Sequence, residues 1–184
     1  MMSSTPEDHR SRAAHDLGPV CCAVLTISDS RTARTDESGP LIERILTAAG
    51  HLVVDRALIK DEPRAIEAAL KRWLADYGIQ VILTTGGTGV SVRDTTIEVV
   101  RRLLTVELEG FGELFRLLSF EEVKSAAMLS RAVGGLIVRG RADGGETFVF
   151  AMPGSPGAVE TAMTNLIGPE LEHLLALRRQ SESE

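Results

Sequence analysis

Apolar residues along this chain fall into two alternating periods. Val20-Cys21-Cys22-Ala23-Val24-Leu25-Thr26-Ile27 is an apolar run, as is Ile79-Gln80-Val81-Ile82-Leu83, and both read as strands buried on two faces. Residues 52–59 read as a further strand between them. The intervening segments switch to helical spacing. Leu41, Ile42, Ile45, Leu46 and Ala49 form one stripe, with Ser38 as its expected cap, Pro40 in its first turn and Gly50 as its stop. Ile66, Ala69, Leu70, Trp73, Leu74 and Tyr77 form a second, which predicts Trp73 and Tyr77 as core residues. Ile97, Val100, Arg101 and Leu104 begin a third after Asp94. A βαβαβα order with right-handed crossovers demands a parallel sheet covered on both faces.

The second half is less regular. Gly110 and Gly112 are expected to interrupt any element over 106–113, and residues 114–123 and 126–133 are expected to be helical. Leu136-Ile137-Val138 and residues 147–152 are strand-like, joined by a hairpin turn over 139–146 that contains Asp143-Gly144-Gly145. The closing helix carries Val159, Met163, Leu166 and Ile167, and Pro169 is expected to bend or restart it. No repeat or inter-domain linker interrupts the pattern. The organisation predicted is a flexible N-terminal tail over 1–19 and a single domain over 20–180.

Composition narrows the function classes. With 184 residues the chain can bury one full core, and 43% hydrophobic with 25% charged residues is ordinary for a soluble globular protein. The 26 acidic and 20 basic residues give a formal charge of −6, which argues against nucleic-acid binding through a broad basic face. Aromatics, at 4%, are too few for base-stacking platforms. Cys21 and Cys22 are neighbours on a strand and point to opposite faces, so they read as small residues of a reduced, cytoplasmic protein rather than a disulfide. The sequence has no apolar run of the roughly 20 residues a membrane span needs, and its first residues lack the apolar core of a signal peptide.

The chemistry concentrates in Leu83-Thr84-Thr85-Gly86-Gly87-Thr88-Gly89-Val90-Ser91-Val92-Arg93-Asp94. A strand, a glycine-rich turn and a helix start build an anion site, because glycine lets the backbone approach the ligand and free N–H groups face negative charge. The stretch is neither a P-loop, lacking Gly-Lys-Ser/Thr, nor a Gly-x-Gly-x-x-Gly fingerprint. In a parallel sheet the loops at 28–31, 60–63, 86–94 and 153–157 converge on one edge, where open α/β sheets bind ligands. These loops bring Asp29, Asp61 and Asp94 but no histidine and no cysteine, which argues against a covalent triad. Carboxylates beside a phosphate cradle suit a magnesium ion. Spacing alone leaves each a plainer role: Asp94 as cap of the helix that follows, Asp61 as a turn residue. Asp29 is expected to hold its own loop by an Asx-type bond.

Five ordered motifs then carry a resemblance. Thr85-Gly86-Gly87-Thr88-Gly89, Arg93-Asp94, Gly110-Phe111-Gly112-Glu113, Leu129-Ser130-Arg131 and Met152-Pro153-Gly154-Ser155-Pro156 resemble the MogA/MoaB family of molybdenum cofactor synthesis, its MoaB branch above all. The resemblance implies a three-layer α/β/α fold with a mostly parallel mixed sheet, assembled as a trimer or a dimer of trimers. The implied reaction is adenylyl transfer from ATP to molybdopterin, giving adenylylated molybdopterin and pyrophosphate. The family's functional aspartates fall on Asp61 and Asp94, and with the resemblance these two are the expected Mg2+ ligands. Its pterin and nucleotide contacts fall on Ser28, Asp29, Thr85, Gly86, Gly87, Thr88, Gly89, Ser130, Pro153, Gly154, Ser155 and Pro156. The alternative is a non-catalytic MoaB-like oligomer that binds a pterin or a protein partner.

Overall fold

The computed structural model describes residues 18–139 and 145–181, with side chains to Leu177. The expected tail, apart from its last two residues, and positions 140–144 of the expected hairpin turn lie outside the described residues. The six strands are β1 (Cys21–Ile27), β2 (Leu52–Ile59), β3 (Val81–Thr85), β4 (Val106–Glu107), β5 (Val133–Val138) and β6 (Glu146–Met152). They form one sheet in the order β2-β1-β3-β6-β5-β4. β2, β1, β3 and β6 are mutually parallel; β5 runs antiparallel to β6 and to β4. This is the mostly parallel mixed sheet that the resemblance implies.

Strand alternation sorts the core into two layers. Cys22, Val24, Val81, Leu83, Phe148, Phe150 and Met152 face one side with Ile42, Leu46, Phe115, Val159 and Met163. Those partners come from α1 (Ser38–Ala48), α4 (Glu109–Val123), α5 (Pro156–Ala162) and the π-turn Met163–Ile167, which leads into α6 (Gly168–Ser181). Ala23, Leu25, Ile27, Ile82, Val149 and Ala151 face the other side with Ile66, Leu70, Trp73, Ile97 and Val100 of α2 (Pro63–Leu74) and α3 (Thr96–Leu103). A run apolar at every position is therefore what a strand between two helical layers requires. Among the described residues no helix is long and apolar enough to cross a membrane.

Local departures from the sequence expectations have physical causes. Ser38 does not cap α1; its hydroxyl donates to the Gly154 carbonyl at 2.7 Å, and Asp36 Oδ1 accepts the Gly39 N–H instead. Tyr77 is not core: α2 ends at Leu74, and the ring is 51% exposed with the Arg139 guanidinium 4.7 Å from its centroid. The glycines at 110 and 112 do not break the chain but lie in the first turn of α4. A Cβ at 112 would stand 2.8 Å from the Ala132 carbonyl, so glycine there lets the helix dock against the segment entering β5. Residues 126–133 are not one helix. Lys124, at φ 53°, ends α4; a 3-10 helix covers Lys124–Leu129, and Val133 already belongs to β5. At Pro169 the expected restart is found: a π-turn over Met163–Ile167, with the Gly168 N–H donating to the Met163 carbonyl five residues back, leads into a new α-helix from Gly168.

Candidate functional site

The parallel strands end in register. Thr26 stands beside Thr85, Thr85 beside Met152, and Ile27 beside Ile59. Their following loops therefore start side by side, around a cleft of about 400 Å3. Ser28, Gly86, Gly87, Thr88, Gly89, Asp94, Ser130, Pro153 and Gly154 line it, joined by Ser30, Arg31 and Leu129.

The glycine turn is shaped by two left-handed residues. Gly86 has φ +99°, and a Cβ there would fall 2.1 Å from the Ile27 carbonyl oxygen; Gly87 has φ +62°. A Cβ at Gly87 would fall 2.6 Å from Asp61 Oδ2, and one at Gly89 would fall 2.7 Å from Asp94 Oδ2. Both carboxylates thus lie against one short stretch of bare main chain. The turn is pinned at its base by Gly86 N–H donating to the Met152 carbonyl and Thr96 N–H donating to the Gly87 carbonyl. Asp94 Oδ2 accepts the Ser91 N–H at 2.9 Å, while α3 starts after Thr95 with no side-chain cap. Asp94 therefore shapes its own loop rather than capping the helix.

Asp61 Oδ1 accepts weakly from the Thr95 hydroxyl at 3.4 Å. Burial pushes the Asp61 carboxyl above the usual range; the Thr95 amide pulls the other way, and the Asp94 and Asp29 carboxylates push up again. Asp61 and Asp94 are the side chains here that could hold a cation. Asp29 does not close its own loop, as expected of an Asx turn. Its Oδ1 accepts the Asp61 N–H at 3.2 Å, and the Ser28 hydroxyl does the local work by accepting from Ser30 and Arg31.

The remaining expected contacts split. Thr85 is fully buried and its hydroxyl donates to the Pro153 carbonyl, tying the glycine turn to the loop after β6. Ser155 caps α5 by accepting the Ala158 N–H, with Pro156 at the helix start. Neither Thr85, Ser155, Pro156, Asp29 nor Asp61 lines the cleft itself. Sequence reasoning missed two arginines. Arg31 donates to the Ser38 hydroxyl and the Gly154 carbonyl, and lies 3.8 Å from Asp36. Arg131 donates to the carbonyls of Thr88 and Asp94. Arg131 was visible within Leu129-Ser130-Arg131, and Arg31 at the end of the first strand, but neither position announced a partner. Arg93, whose basic side chain sits beside the turn, is exposed.

Known proteins resemble this chain in sequence and in fold. A family profile described as "Probable molybdopterin binding domain" matches residues 23–173. Molybdenum cofactor biosynthesis protein B of Bacillus cereus is 46% identical over 175 residues, covering 94% of this chain and 98% of that protein. Its namesake from Staphylococcus carnosus is 49% identical over 157 residues, covering 84% and 88%. A crystal structure of a molybdenum cofactor biosynthesis protein B aligns with a TM-score of 0.81 at 46% identity, over 88% of this chain and 97% of that one. The tungsten cofactor synthesizing protein MoaB from Pyrococcus furiosus aligns with a TM-score of 0.78 at 36% identity, over 88% and 98%. Profile match, sequence identity and structural alignment agree, and the chain belongs to the MogA/MoaB family of molybdenum cofactor biosynthesis, on its MoaB side.

Proposed function

We propose that the protein adenylylates molybdopterin, using ATP and releasing pyrophosphate. One observation carries the reading: carboxylates from loops after two different strands, Asp61 and Asp94, lie against Gly87 and Gly89 of a single turn. Among the described residues no carbonyl accepts the main-chain N–H groups of Gly87, Thr88 or Gly89, which leaves them to face phosphate oxygens. The pterin's terminal phosphate oxygen forms a bond to the α-phosphorus of ATP, and the bond from that phosphorus to the bridging oxygen breaks as pyrophosphate leaves. Such a transfer needs positioning and charge stabilisation rather than an enzyme nucleophile. That agrees with loops that carry hydroxyls and carboxylates but neither histidine nor cysteine.

Magnesium fits the donor set. No group of three or more His, Cys, Asp or Glu residues converges among the described residues, so protein ligands would come from Asp61 and Asp94 and the rest from water and phosphate. When bound, the ion would supply neutralisation of phosphate charge and would offset the burial, and the lesser repulsion from Asp94, that raise Asp61. The protein's own part is to hold the two carboxylates, present the turn amides and exclude bulk water with the loops after β1 and β6.

Assembly as a trimer or a dimer of trimers belongs to the same proposal. On α4 the inner face is Phe111, Phe115 and Ser119, yet Leu114, Leu117, Phe120 and Val123 are each about half exposed or more. An apolar outer stripe on an otherwise ordinary helix is supported best by a covering subunit. The same stripe favours the second reading, a non-catalytic oligomer that binds a pterin or a protein partner. Incubating the protein with molybdopterin, Mg2+ and α-labelled ATP separates the two. Labelled adenylylated molybdopterin and pyrophosphate, lost on chelating Mg2+, are the expected products. Pterin binding with no product would leave the non-catalytic reading in its place.

A further inference from the structure

We propose that Arg131 is a positioning residue of this site: its guanidinium staples the two ends of the 88–94 loop and so sets where the Asp94 carboxylate stands relative to Asp61. Arg131 follows Ser130, which lines the cleft, and precedes β5. Its Nε donates to the Thr88 carbonyl at 2.9 Å and its Nη2 to the Asp94 carbonyl at 3.0 Å. Its Nη1 pairs with the Glu98 carboxylate in the first turn of α3. One planar group thus reaches the start of the loop, its end, and the helix beyond.

Outside its base, where the Thr96 N–H donates to the Gly87 carbonyl, the loop has little else to hold it. Val90 is 68% exposed and Val92 98%, and Ser91 and Arg93 are exposed as well, so packing does not anchor the tip. The other hydrogen bonds between Thr88 and Asp94 are internal: Ser91 N–H to Asp94 Oδ2, Asp94 N–H to the Ser91 carbonyl, and Arg93 N–H to the Ser91 hydroxyl. They give the loop a shape but do not fasten it to the body of the protein. Arg131 does that, and it does so at the carbonyl of the acid itself. A lysine could not, because a single ammonium lacks the rigid fork that bonds two carbonyls and a carboxylate in one plane. Charge alone is therefore not the requirement; geometry is.

The effect on turnover rests on the role given to Asp94 under Proposed function, whereas the effect on the loop does not. The test uses full-length Arg131→Ala and Arg131→Lys proteins, with two readouts. Amide hydrogen exchange at Ser91 and Asp94 is expected to quicken about tenfold or more in both variants, as charge-assisted bonds are lost, with amides of β1 and β3 unchanged. Adenylyl-transfer kcat is expected to fall by about 10- to 100-fold in both, the cost of a misplaced group, with a higher Mg2+ requirement and KM for molybdopterin within about twofold. Wild-type kcat in Arg131→Lys would overturn the proposal, because positive charge would then suffice. Faster exchange without a fall in kcat would overturn it too, as would loss of protection spread through β1 and β3. If the wild-type protein transfers no adenylyl group, the proposed function fails by itself, and exchange at Ser91 and Asp94 still decides whether the staple exists.

Discussion

The Asp29 carboxylate accepts the main-chain N–H of Asp61 at 3.2 Å, so the loop leaving β1 holds the acid-bearing residue of the loop leaving β2. Lys60 reinforces the tie by donating to the Asp29 carbonyl. The bond is exposed, so its loss should cost less than about 1 kcal/mol of stability. Its effect on catalysis should be larger, because it orients Asp61. Asp29→Ala is expected to lower kcat about tenfold with little change in Tm, whereas Asp29→Asn, whose Oδ1 still accepts, should keep most of the activity. Steady-state kinetics and thermal melts on the two variants check this.

Asp61 makes a pH-dependent prediction. Its carboxyl is raised above the ordinary value of 3.8, first by burial. A raised folded-state value means the folded protein binds more protons than the unfolded chain between the two values. The stabilisation from the protonated form is therefore complete below 3.8 and is lost as pH rises through the folded-state value. Asp61→Asn, which keeps an oxygen to accept from Thr95, should melt higher than wild type at neutral pH and lose that advantage in acid. It should also abolish adenylyl transfer at every pH, and Mg2+ should raise the Tm of wild type but not of the variant. Melting curves across pH, with and without Mg2+, test the sign.

Gly87 and Gly50 separate backbone strain from damage to the site. Both have positive φ, +62° and +86°. A Cβ at 87 would meet Thr96 Oγ1 at 2.3 Å and Asp61 Oδ2 at 2.6 Å, whereas one at 50 would meet nothing within 4 Å. Each alanine variant should lose about 1–3 kcal/mol to strain. Only Gly87→Ala should also drive Asp61 from its place and lose activity, by about 100-fold or more. Equal activity in the two variants would show that the Asp61 contact is unimportant.

Asp36 supports Arg31, which lines the cleft. Its side chain, 2% exposed, accepts from the Thr26 hydroxyl and the Gly39 N–H, and pairs with Arg31 at 3.8 Å and Arg56 at 3.7 Å. Asp36→Ala leaves two buried donors without an acceptor, at about 1–3 kcal/mol each. Urea denaturation should show a loss of about 3 kcal/mol. Arg31, released, should also hold the Gly154 carbonyl less firmly.

Burial pushes the Cys22 thiol up to about 12, with the neighbouring Cys21 adding to the shift. The thiolate is the reactive form. Iodoacetamide at neutral pH should leave Cys22 unmodified in the folded protein and alkylate it in urea, as peptide mass analysis would show.

Much of this architecture is local and therefore legible in the sequence. The continuous apolar runs of β1 and β3 reported strands covered on both faces, and the stripe from Ile66 to Trp73 reported a helix with one buried face. The glycines after β3 announced a turn that side chains could not form, and Asp61 and Asp94 were conspicuous as acids in loops at the same edge. Periodicity overran where a helix ended early, as at Tyr77, and over 126–133, where a 3-10 helix gives way to β5; it fell short where glycines sat inside a helix, as in α4.

Tertiary structure alone decided which loops touch. Arg31 reaches Gly154, and Arg131 reaches Thr88, because β3 lies between β1 and β6 and β5 returns antiparallel beside β6. Periodicity records how deeply each residue is buried within its own element. It holds no record of which strand end will stand beside which, and the hydrogen bonds that position Asp61 and Asp94 are made between those ends.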